Sequence, residues 1–132
     1  MVDEGGTLER KLDIEITEQT IDRVVGRMPV RGNTQPLGRL HGGATMALGE
    51  TLGSLAAQLY ADTTGRLAVG VDINGTHHAA ARSGHVIGTA VPLHLGQRVT
   101  SHEVTVRDSD GRLVATIRIT NMMIDPTDPP TS

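Results

Sequence analysis

The sequence predicts an α+β fold in which one long helix packs against an antiparallel β-sheet. A long uncharged segment at about 42–61 has helical periodicity, strand-like segments lie on both sides of it, and those that follow it have short connections. Strands joined by short turns pair antiparallel, and one helix on such a sheet is an α+β layer arrangement. The 132 residues fit one domain, assigned to 11–125, between a flexible N-terminus at 1–10 and a disordered tail at 126–132.

Strand patterns occur before and after the helical segment. LDIEIT (12–17) alternates apolar and polar residues, and IDRVVGRMPV (21–30) has the same strand character. The segment 31–39 contains glycine, asparagine and proline and is predicted to be a loop. Four further strands are predicted within 65–78, 83–96, 98–107 and 112–124. The last two flank DSDG, which is typical of a hairpin turn.

The predicted helix has leucines on one side and small residues on the other. At about 100° per residue the leucines form one stripe, which should pack on the sheet. This stripe contains Leu48, Leu52, Leu55 and Leu59, and the opposite side contains Gly43, Ala47, Ser54, Ala57 and Ala61. Such a helix is expected to be covered on both sides, by the sheet on the first and by a second subunit, a ligand or both on the other.

A single carboxylate lies among these small residues. Glu50 is the only charged residue between Arg39 and Asp62, and it lies about 200° around the helix from Leu48. A partly buried carboxylate without a cationic partner is unfavourable, so such groups are more often functional than a surface glutamate. The uncharged surroundings favour a functional role over the alternative, an ordinary exposed side chain.

The helix is predicted to begin at the sequence His41-Gly42-Gly43. The first amides of a helix have no partner within it and lie at the positive end of its dipole. Glycine lets a ligand approach this backbone closely, and an amide here would stabilise a carbonyl oxygen that gains negative charge. The alternative is that the two glycines only allow a tight entry into the helix.

Gly42 and Glu50 are too far apart along one helix to act easily on the same carbonyl. Eight residues separate them, which is about 12 Å along the helix axis. Two antiparallel copies of the helix would bring Gly42 of one chain to Glu50 of the other. If both groups serve one reaction, the site lies at a two-fold dimer interface and occurs twice per dimer.

Composition and motifs argue against several other functions. The net charge of −3 and the scattered arginines do not favour nucleic-acid binding. The absence of cysteine excludes disulfides and a thiol nucleophile. The sequence has no HExxH pattern, so we expect no metal, and it has no GxSxG elbow, so we expect no serine triad. No apolar leader or membrane-spanning run is present, which predicts a soluble cytoplasmic protein without a membrane partner.

The segment NTQPLGRLHGGATMALGETLGSLAA (33–57) resembles the hotdog-fold acyl-CoA thioesterases, and the resemblance continues through 69–120. It is similar in particular to the branch of glutamate-dependent 4-hydroxybenzoyl-CoA and 1,4-dihydroxy-2-naphthoyl-CoA thioesterases. The resemblance implies a hotdog fold, in which a curved antiparallel sheet wraps a long central helix. It also implies hydrolysis of an acyl-CoA or acyl-carrier-protein thioester by a homodimer, or by a dimer of such dimers.

The motif of this family falls on Gln35, His41, Gly42, Glu50 and Ser54. The resemblance makes Glu50 the catalytic carboxylate, which either attacks the thioester or activates water as a general base. The Gly42 amide would polarise the carbonyl, Gln35 would orient the substrate or water, and His41 would hold the site together. Ser54 would orient the carboxylate or the water. Each also has a structural alternative, since Gln35 could be a loop residue, Ser54 a packing residue and His41 a hydrogen-bonding residue at the helix start.

The resemblance also supplies candidates for substrate binding. These are His77, His78, Arg82, Gln97 and Arg98, from positions near the cleft rim, where the phosphates of coenzyme A would need partners. Coenzyme A enters only as part of the substrate, and no cofactor is expected. The alternative function is a non-catalytic acyl-CoA-binding hotdog module. A hotdog dehydratase or hydratase is less favoured, because the helix lacks the constellation of histidine and carboxylate that those relatives use.

Overall fold

The chain folds into one antiparallel sheet with a long helix on its inner face, and the computed structural model describes residues 6–127. The helices are α1 (Leu8–Lys11) and α2 (Gly42–Asp62), and the strands are β1 (Glu15–Gln19), β2 (Val24–Pro29), β3 (Leu67–His77), β4 (His85–Leu95), β5 (Val99–Asp108) and β6 (Leu113–Ile124). The sheet order is β1-β2-β4-β5-β6-β3, and every neighbouring pair is antiparallel. The predicted α+β class is therefore confirmed, and the predicted helix agrees with α2 to within one residue.

The leucine side of α2 packs on the sheet, as the sequence predicts. Leu48 and Leu52 are fully buried, while Leu55 and Leu59 are partly buried against the same core. Leu52 packs directly over Gly88 of β4. A Cβ atom on Gly88 would lie only 2.6 Å from Leu52 Cδ1, so a side chain at this position would collide with the leucine. The absence of side chains at such positions lets the helix approach the sheet closely.

The N-terminal segment contains a short helix that the sequence did not predict. α1 (Leu8–Lys11) overlaps the segment 1–10 that was predicted to be flexible, of which residues 1–5 lie outside the described part of the chain. Asp13 follows with a positive φ of 61°, and β1 begins only at Glu15, three residues later than the predicted strand. Most of the predicted tail at 126–132 also lies outside the described residues.

Strands β1 and β3 form the two edges of the sheet. β3 is eleven residues long and mostly exposed, and Val71 in its middle is 53% exposed. Long edge strands with apolar side chains are unusual in monomers, because an unpaired edge is a template for another strand. Between residues 6 and 127, neither helix is long and apolar enough to cross a membrane.

Candidate active site

Glu50 lies in the middle of α2, beside strand β3. A Cβ atom on Gly70 of β3 would lie 3.0 Å from Glu50 Oε1, so glycine at this position leaves room for the carboxylate. The strand is irregular here, since its register with β6 shifts between Gly70 and Asp72. Such bulges are frequent beside functional sites, where they change the direction of the backbone.

Glu50 and Ser54 line the same cavity, which has a volume of about 340 Å³. Its other lining residues are Glu9, Ile14, Ile16, Thr51 and Leu55. The structure thus brings together the two predicted site residues that lie one helical turn apart. The cavity combines the carboxylates of Glu50 and Glu9 and two hydroxyls with an aliphatic wall.

The environment of Glu50 disfavours its charged form. Burial raises the pKa of Glu50 above its ordinary value of 4.5. The side chain is nevertheless exposed in the single chain, because β3 covers one side of it while the neighbouring Gly43, Ala47 and Ser54 are not fully buried. Farther along the small-residue side, Ala57 and Ala61 are buried within the chain itself, so only the first part of that side is open. Within residues 6–127 Glu50 makes no ion pair, and no group of three or more His, Cys, Asp or Glu side chains could hold a metal ion. Glu50 is therefore an unpaired carboxylate that the protein partly desolvates.

His41 caps the start of α2 and leaves one backbone amide free. Its Nδ1 atom accepts a hydrogen bond of 2.8 Å from the Gly43 N–H. Its carbonyl accepts hydrogen bonds from the N–H groups of Ala44 and Thr45. None of the hydrogen bonds found between residues 6 and 127 uses the Gly42 N–H. Since this amide also lies at the positive end of the helix dipole, it can bind an oxygen that carries negative charge.

A second cavity, of about 330 Å³, lies at this end of the helix. Gln35, Gly42, His77 and His78 are among the residues that line it. The His77 ring packs against the helix start, because a Cβ atom on Gly42 would lie 3.1 Å from its Nε2 atom. His78 Nε2 forms a hydrogen bond of 2.9 Å with the Thr116 hydroxyl. The cavity that contains Gly42 is thus also lined by two imidazoles and one carboxamide.

The predicted catalytic residues are divided between cavities within one chain. Glu50 and Ser54 line the first cavity, Gln35 and Gly42 line the second, and His41 lines a third. None of these three cavities contains both Glu50 and Gly42. This agrees with the distance of about 12 Å that eight helical residues span.

The predicted substrate-binding residues also lie apart. His77 and His78 are at the start of α2, beside Gly42. Arg82 lines a polar cavity under the turn that joins β5 and β6. Gln97 and Arg98 lie in the turn between β4 and β5, and Gln97 lines a cavity at the far end of α2. A single chain therefore does not gather these residues around one ligand.

The structure adds Gly70 and Asn121 to the surroundings of Glu50, and sequence reasoning identified neither. Asn121 of β6 pairs in register with Gly70 and is fully buried. Two features of the sequence could have indicated them. A glycine inside a strand often marks a close approach by another group, and an asparagine on the buried face of a strand needs a partner.

Comparison with known proteins gives consistent matches over most of the chain. Residues 37–115 match the family model described as "Thioesterase superfamily". The chain is 42% identical over 120 residues to the proofreading thioesterase EntH of Cronobacter turicensis, covering 90% of this chain and 87% of the relative. It is 43% identical over 114 residues to the protein of the same name from Klebsiella pneumoniae, covering 86% and 82%. A crystal structure of a thioesterase from Haemophilus influenzae superposes with a TM-score of 0.87 at 34% identity, covering 96% of this chain and 89% of that one.

Proposed function

The chain belongs to the thioesterase superfamily, and from this premise we propose that it hydrolyses the thioester of an acyl-CoA, or of an acyl carrier protein, to a free acid and a thiol. The observation that carries the proposal is Glu50, an unpaired and partly desolvated carboxylate in a cavity that it shares with Ser54. The alternative function, a binding module without catalysis, has no need of such a group.

Glu50 acts in its ionised form by one of two routes. As a nucleophile, its oxygen attacks the thioester carbon, the carbon–sulfur bond breaks, and water then hydrolyses the acyl-glutamyl anhydride. As a general base, it takes a proton from a water molecule that attacks the same carbon, and the proton passes to the departing thiolate. Partial desolvation suits both routes, because it makes the carboxylate more basic than an ordinary surface glutamate.

The Gly42 amide stabilises the oxygen of the thioester carbonyl as it gains negative charge. Its N–H has no acceptor among the hydrogen bonds of residues 6–127, and His41 fixes the helix start by capping Gly43. One preorganised donor of this kind contributes about 10²–10³-fold to kcat. His41 is in this proposal a positioning residue, and Gln35 supplies a further polar group beside the carbonyl.

The complete site is formed by two chains in a homodimer. Gly42 and Glu50 line different cavities within one chain, and Gly43, Ala47 and Ser54 around Glu50 are small and not fully buried. These observations support an antiparallel approach of two α2 helices, with Gly42 of one chain beside Glu50 of the other. The exposed edge strand β3 adds a surface for the same association.

We propose that recognition of coenzyme A also depends on the homodimer. Arg82 and Arg98 are exposed and can bind phosphate, and His77, His78 and Gln97 add further hydrogen-bonding groups. Because these residues are distributed over one chain, we propose that the two chains of a dimer together contribute them. Pairing of two dimers through the outer face of the sheet would extend this assembly to a tetramer.

The proposed reaction is tested by measuring thiol release from a panel of aliphatic and aryl CoA thioesters. We expect turnover of at least one member of the panel, and a loss of about 10³-fold or more in Glu50→Gln, which removes the ionisable oxygen. Glu103→Gln on β5 is the matched control, since its side chain lies on the opposite face of the sheet from the buried His102 and Val104. Full activity in Glu50→Gln would exclude the proposed mechanism, and no turnover of any thioester would favour the binding module.

Gly42→Pro tests the role of the backbone amide. Proline lacks an N–H but is well tolerated in the first turn of a helix, and His41 before it has the extended backbone that proline requires (ψ of 130°). Gly42→Ala is the matched control, because it places a similar group against His77 and keeps the N–H. We expect kcat to fall about 10²-fold in the proline variant relative to the alanine variant. Equal activity of the two would rule out the amide as the oxyanion donor.

Mixed dimers test whether the site is shared between chains. Glu50→Gln and Gly42→Pro are each expected to be nearly inactive alone. In a mixed dimer, one of the two sites combines the intact Gly42 of the first variant with the intact Glu50 of the second. Joint refolding of the two variants should therefore recover a substantial fraction of the activity. A site contained within one chain would give no recovery at any mixing ratio.

A further inference from the structure

The segment 8–14, which contains the short helix α1, packs beside α2. We refer to it as the α1 segment. Its residues Glu9 and Ile14 line the cavity that contains Glu50. The proposed reaction uses neither residue, although both share a cavity with the proposed catalytic carboxylate. The α1 segment is therefore placed to contact a group that binds beside Glu50.

Hydrogen bonds hold the α1 segment in this position. The Ile14 N–H donates to the Glu9 carbonyl over a distance of 2.9 Å, across the chain reversal at Asp13 that leads into β1. The buried Asn33 donates from its Nδ2 atom to the Leu12 carbonyl over a distance of 2.8 Å. Glu9 is therefore fixed at the cavity by its own backbone and by the loop before α2.

The cavity of Glu50 suits the acyl part of a thioester. Its wall includes Ile14, Ile16 and Leu55, whose side chains pack against the hydrophobic core. Both proposed routes require the thioester carbon to reach Glu50, so one of the two groups attached to that carbon must border this cavity. The acyl group is the more apolar of the two, because the thiol arm of coenzyme A or of a carrier protein contains amides. An aliphatic wall favours the apolar group, so the acyl group is expected here.

The ionisable side chains that line this cavity are both acidic. Glu9 and Glu50 line it, and no Lys, Arg or His does. Arg10 and Lys11 follow Glu9 on α1 without lining the cavity. Within residues 6–127, neither Glu9 nor Glu50 forms an ion pair. A carboxylate on the acyl group would therefore meet two like charges and no cation, which is electrostatically unfavourable.

We propose that Glu9 is a specificity-determining residue, whose carboxylate makes the protein select thioesters of uncharged acyl groups and discriminate against acyl groups that end in a carboxylate. This inference rests on the proposed function, because it places the acyl group beside the catalytic Glu50. The two carboxylates have separate tasks. Glu50 acts on the thioester carbon, whereas Glu9 belongs to a different element and can be replaced without removing the reacting group.

Matched pairs of CoA thioesters test the selection. Hexanoyl-CoA and adipoyl-CoA have acyl chains with the same number of carbons, and 4-methylbenzoyl-CoA and 4-carboxybenzoyl-CoA have rings of similar shape. Only the second member of each pair ends in a carboxylate. We expect kcat/KM to favour the uncharged member by about tenfold or more. Glu9→Gln keeps the shape and removes the charge, so it should reduce this preference by about fivefold to tenfold, and Glu9→Lys should reduce it further.

Glu15→Gln is the matched control for Glu9→Gln. Glu15 lies between Ile14 and Ile16 in sequence, so its side chain is on the opposite face of β1, where it forms an ion pair of 3.2 Å with Arg27. This substitution makes the same change in net charge outside the cavity, and the preference should stay within about twofold of the original. Salt gives a second check, because the Debye length is only about 3 Å at 1 M. The difference between Glu9→Gln and the original protein should therefore shrink at that salt concentration.

Binding to the Glu50→Gln protein gives a readout that does not depend on turnover. This background lacks the second carboxylate of the cavity, so any change in preference on adding Glu9→Gln is due to Glu9. We expect the ratio of the Kd values for adipoyl-CoA and hexanoyl-CoA to fall about fivefold in the double variant. Removal of the Glu9 carboxylate without a change in either the kcat/KM ratio or the Kd ratio would overturn the inference. Failure of the proposed function itself would instead appear as full activity in Glu50→Gln.

Discussion

The two sides of helix α2 differ in what holds their residues in place. On the leucine side, Leu48 and Leu52 are fully buried and meet strands of their own chain. On the other side, Glu50 is exposed and Ser54 is only partly buried, although both lie in the middle of the same helix. The first side contributes the stability of the fold. The second side can carry an unpaired carboxylate because the leucines already anchor the helix.

The difference also explains the small residues around Glu50. Side chains of ordinary surface length at Gly43, Ala47 and Ser54 would separate α2 from any helix that approached it. Keeping them short leaves the helix with little apolar area to bury on that side within one chain. Natural proteins commonly lose some stability at functional sites in this way. The comparison predicts that substitutions on the two sides change different properties.

Leu52→Ala should produce the largest loss of stability among single substitutions in this helix. Its side chain is fully buried over Gly26 and Gly88, and these two positions supply no side-chain atoms to replace those that are lost. Replacement of a buried leucine by alanine lowers the free energy of unfolding by about 2–5 kcal/mol. Urea unfolding of this variant and of Ser54→Ala would measure the contrast. A larger loss in Ser54→Ala would contradict the division of roles between the two sides.

Gly53→Ala should be the next most destabilising change, because it separates the helix from β6. A Cβ atom at Gly53 would overlap Cγ2 of Ile119, which is attached directly to the Cβ atom and cannot rotate away freely. Overpacking of this kind lowers stability by about 1–3 kcal/mol, and the better helix propensity of alanine offsets about 1 kcal/mol of that loss.

Gly49→Ala is the matched control for Gly53→Ala. Its Cβ atom would lie 2.6 Å from Ile117 Cδ1, which is the mobile end of that side chain. We expect this variant to be closer to the original protein in its urea midpoint. Equal losses in the two variants would show that the contact with Ile119 is not what makes Gly53 necessary.

The sequence predicts the leucine side much better than the Glu50 side. Helical periodicity alone assigns Leu48 and Leu52 to the core, and strand patterns locate every strand of the sheet. Both succeed because buried positions are occupied by apolar residues at the spacing of the helix or strand. The family resemblance is confirmed by the thioesterase matches. The close approach of Glu50 to Gly70 could not be predicted, since it depends on the register of β3 and β6 and on a bulge, neither of which residue types specify. The roles of Gln35, His41, Gly42, Glu50 and Ser54 remain predictions.

His102→Gln should weaken the dependence of stability on pH in the acidic range. Burial lowers the pKa of His102 below its ordinary value of 6.5. The unfolded chain therefore takes up a proton on this histidine as the pH falls below about 6.5, while the folded chain does so only at lower pH. The free energy of unfolding therefore decreases as the pH falls from about 6.5 to the pKa of His102 in the folded chain. The contribution is at most about 1.4 kcal/mol per pH unit.

Urea midpoints at pH 7.5 and 5.5 would measure this effect. We expect the loss of stability between the two conditions to be smaller in His102→Gln than in the original protein. The exposed His78, which follows the last residue of β3, gives the control variant His78→Gln, which should follow the original protein. If the two variants have the same pH dependence, burial of the His102 ring is not responsible for it.

Glu50→Gln should give the smallest effect on stability, and its sign is opposite to that of Leu52→Ala and Gly53→Ala. Burial raises the pKa of Glu50, so its charged form is less favourable in the folded chain than in the unfolded chain. Its contribution is unfavourable above the folded pKa and disappears as the pH falls below 4.5, where the group is protonated in both states. Because the side chain is exposed to solvent on one side, we expect a gain of less than about 1 kcal/mol. Thermal unfolding at pH 7 and at pH 4 would detect it as a stabilisation that is present only at the higher pH. A loss of stability at pH 7 would show that the Glu50 side of α2 is held by its carboxylate, and the contrast between the two sides would then no longer hold.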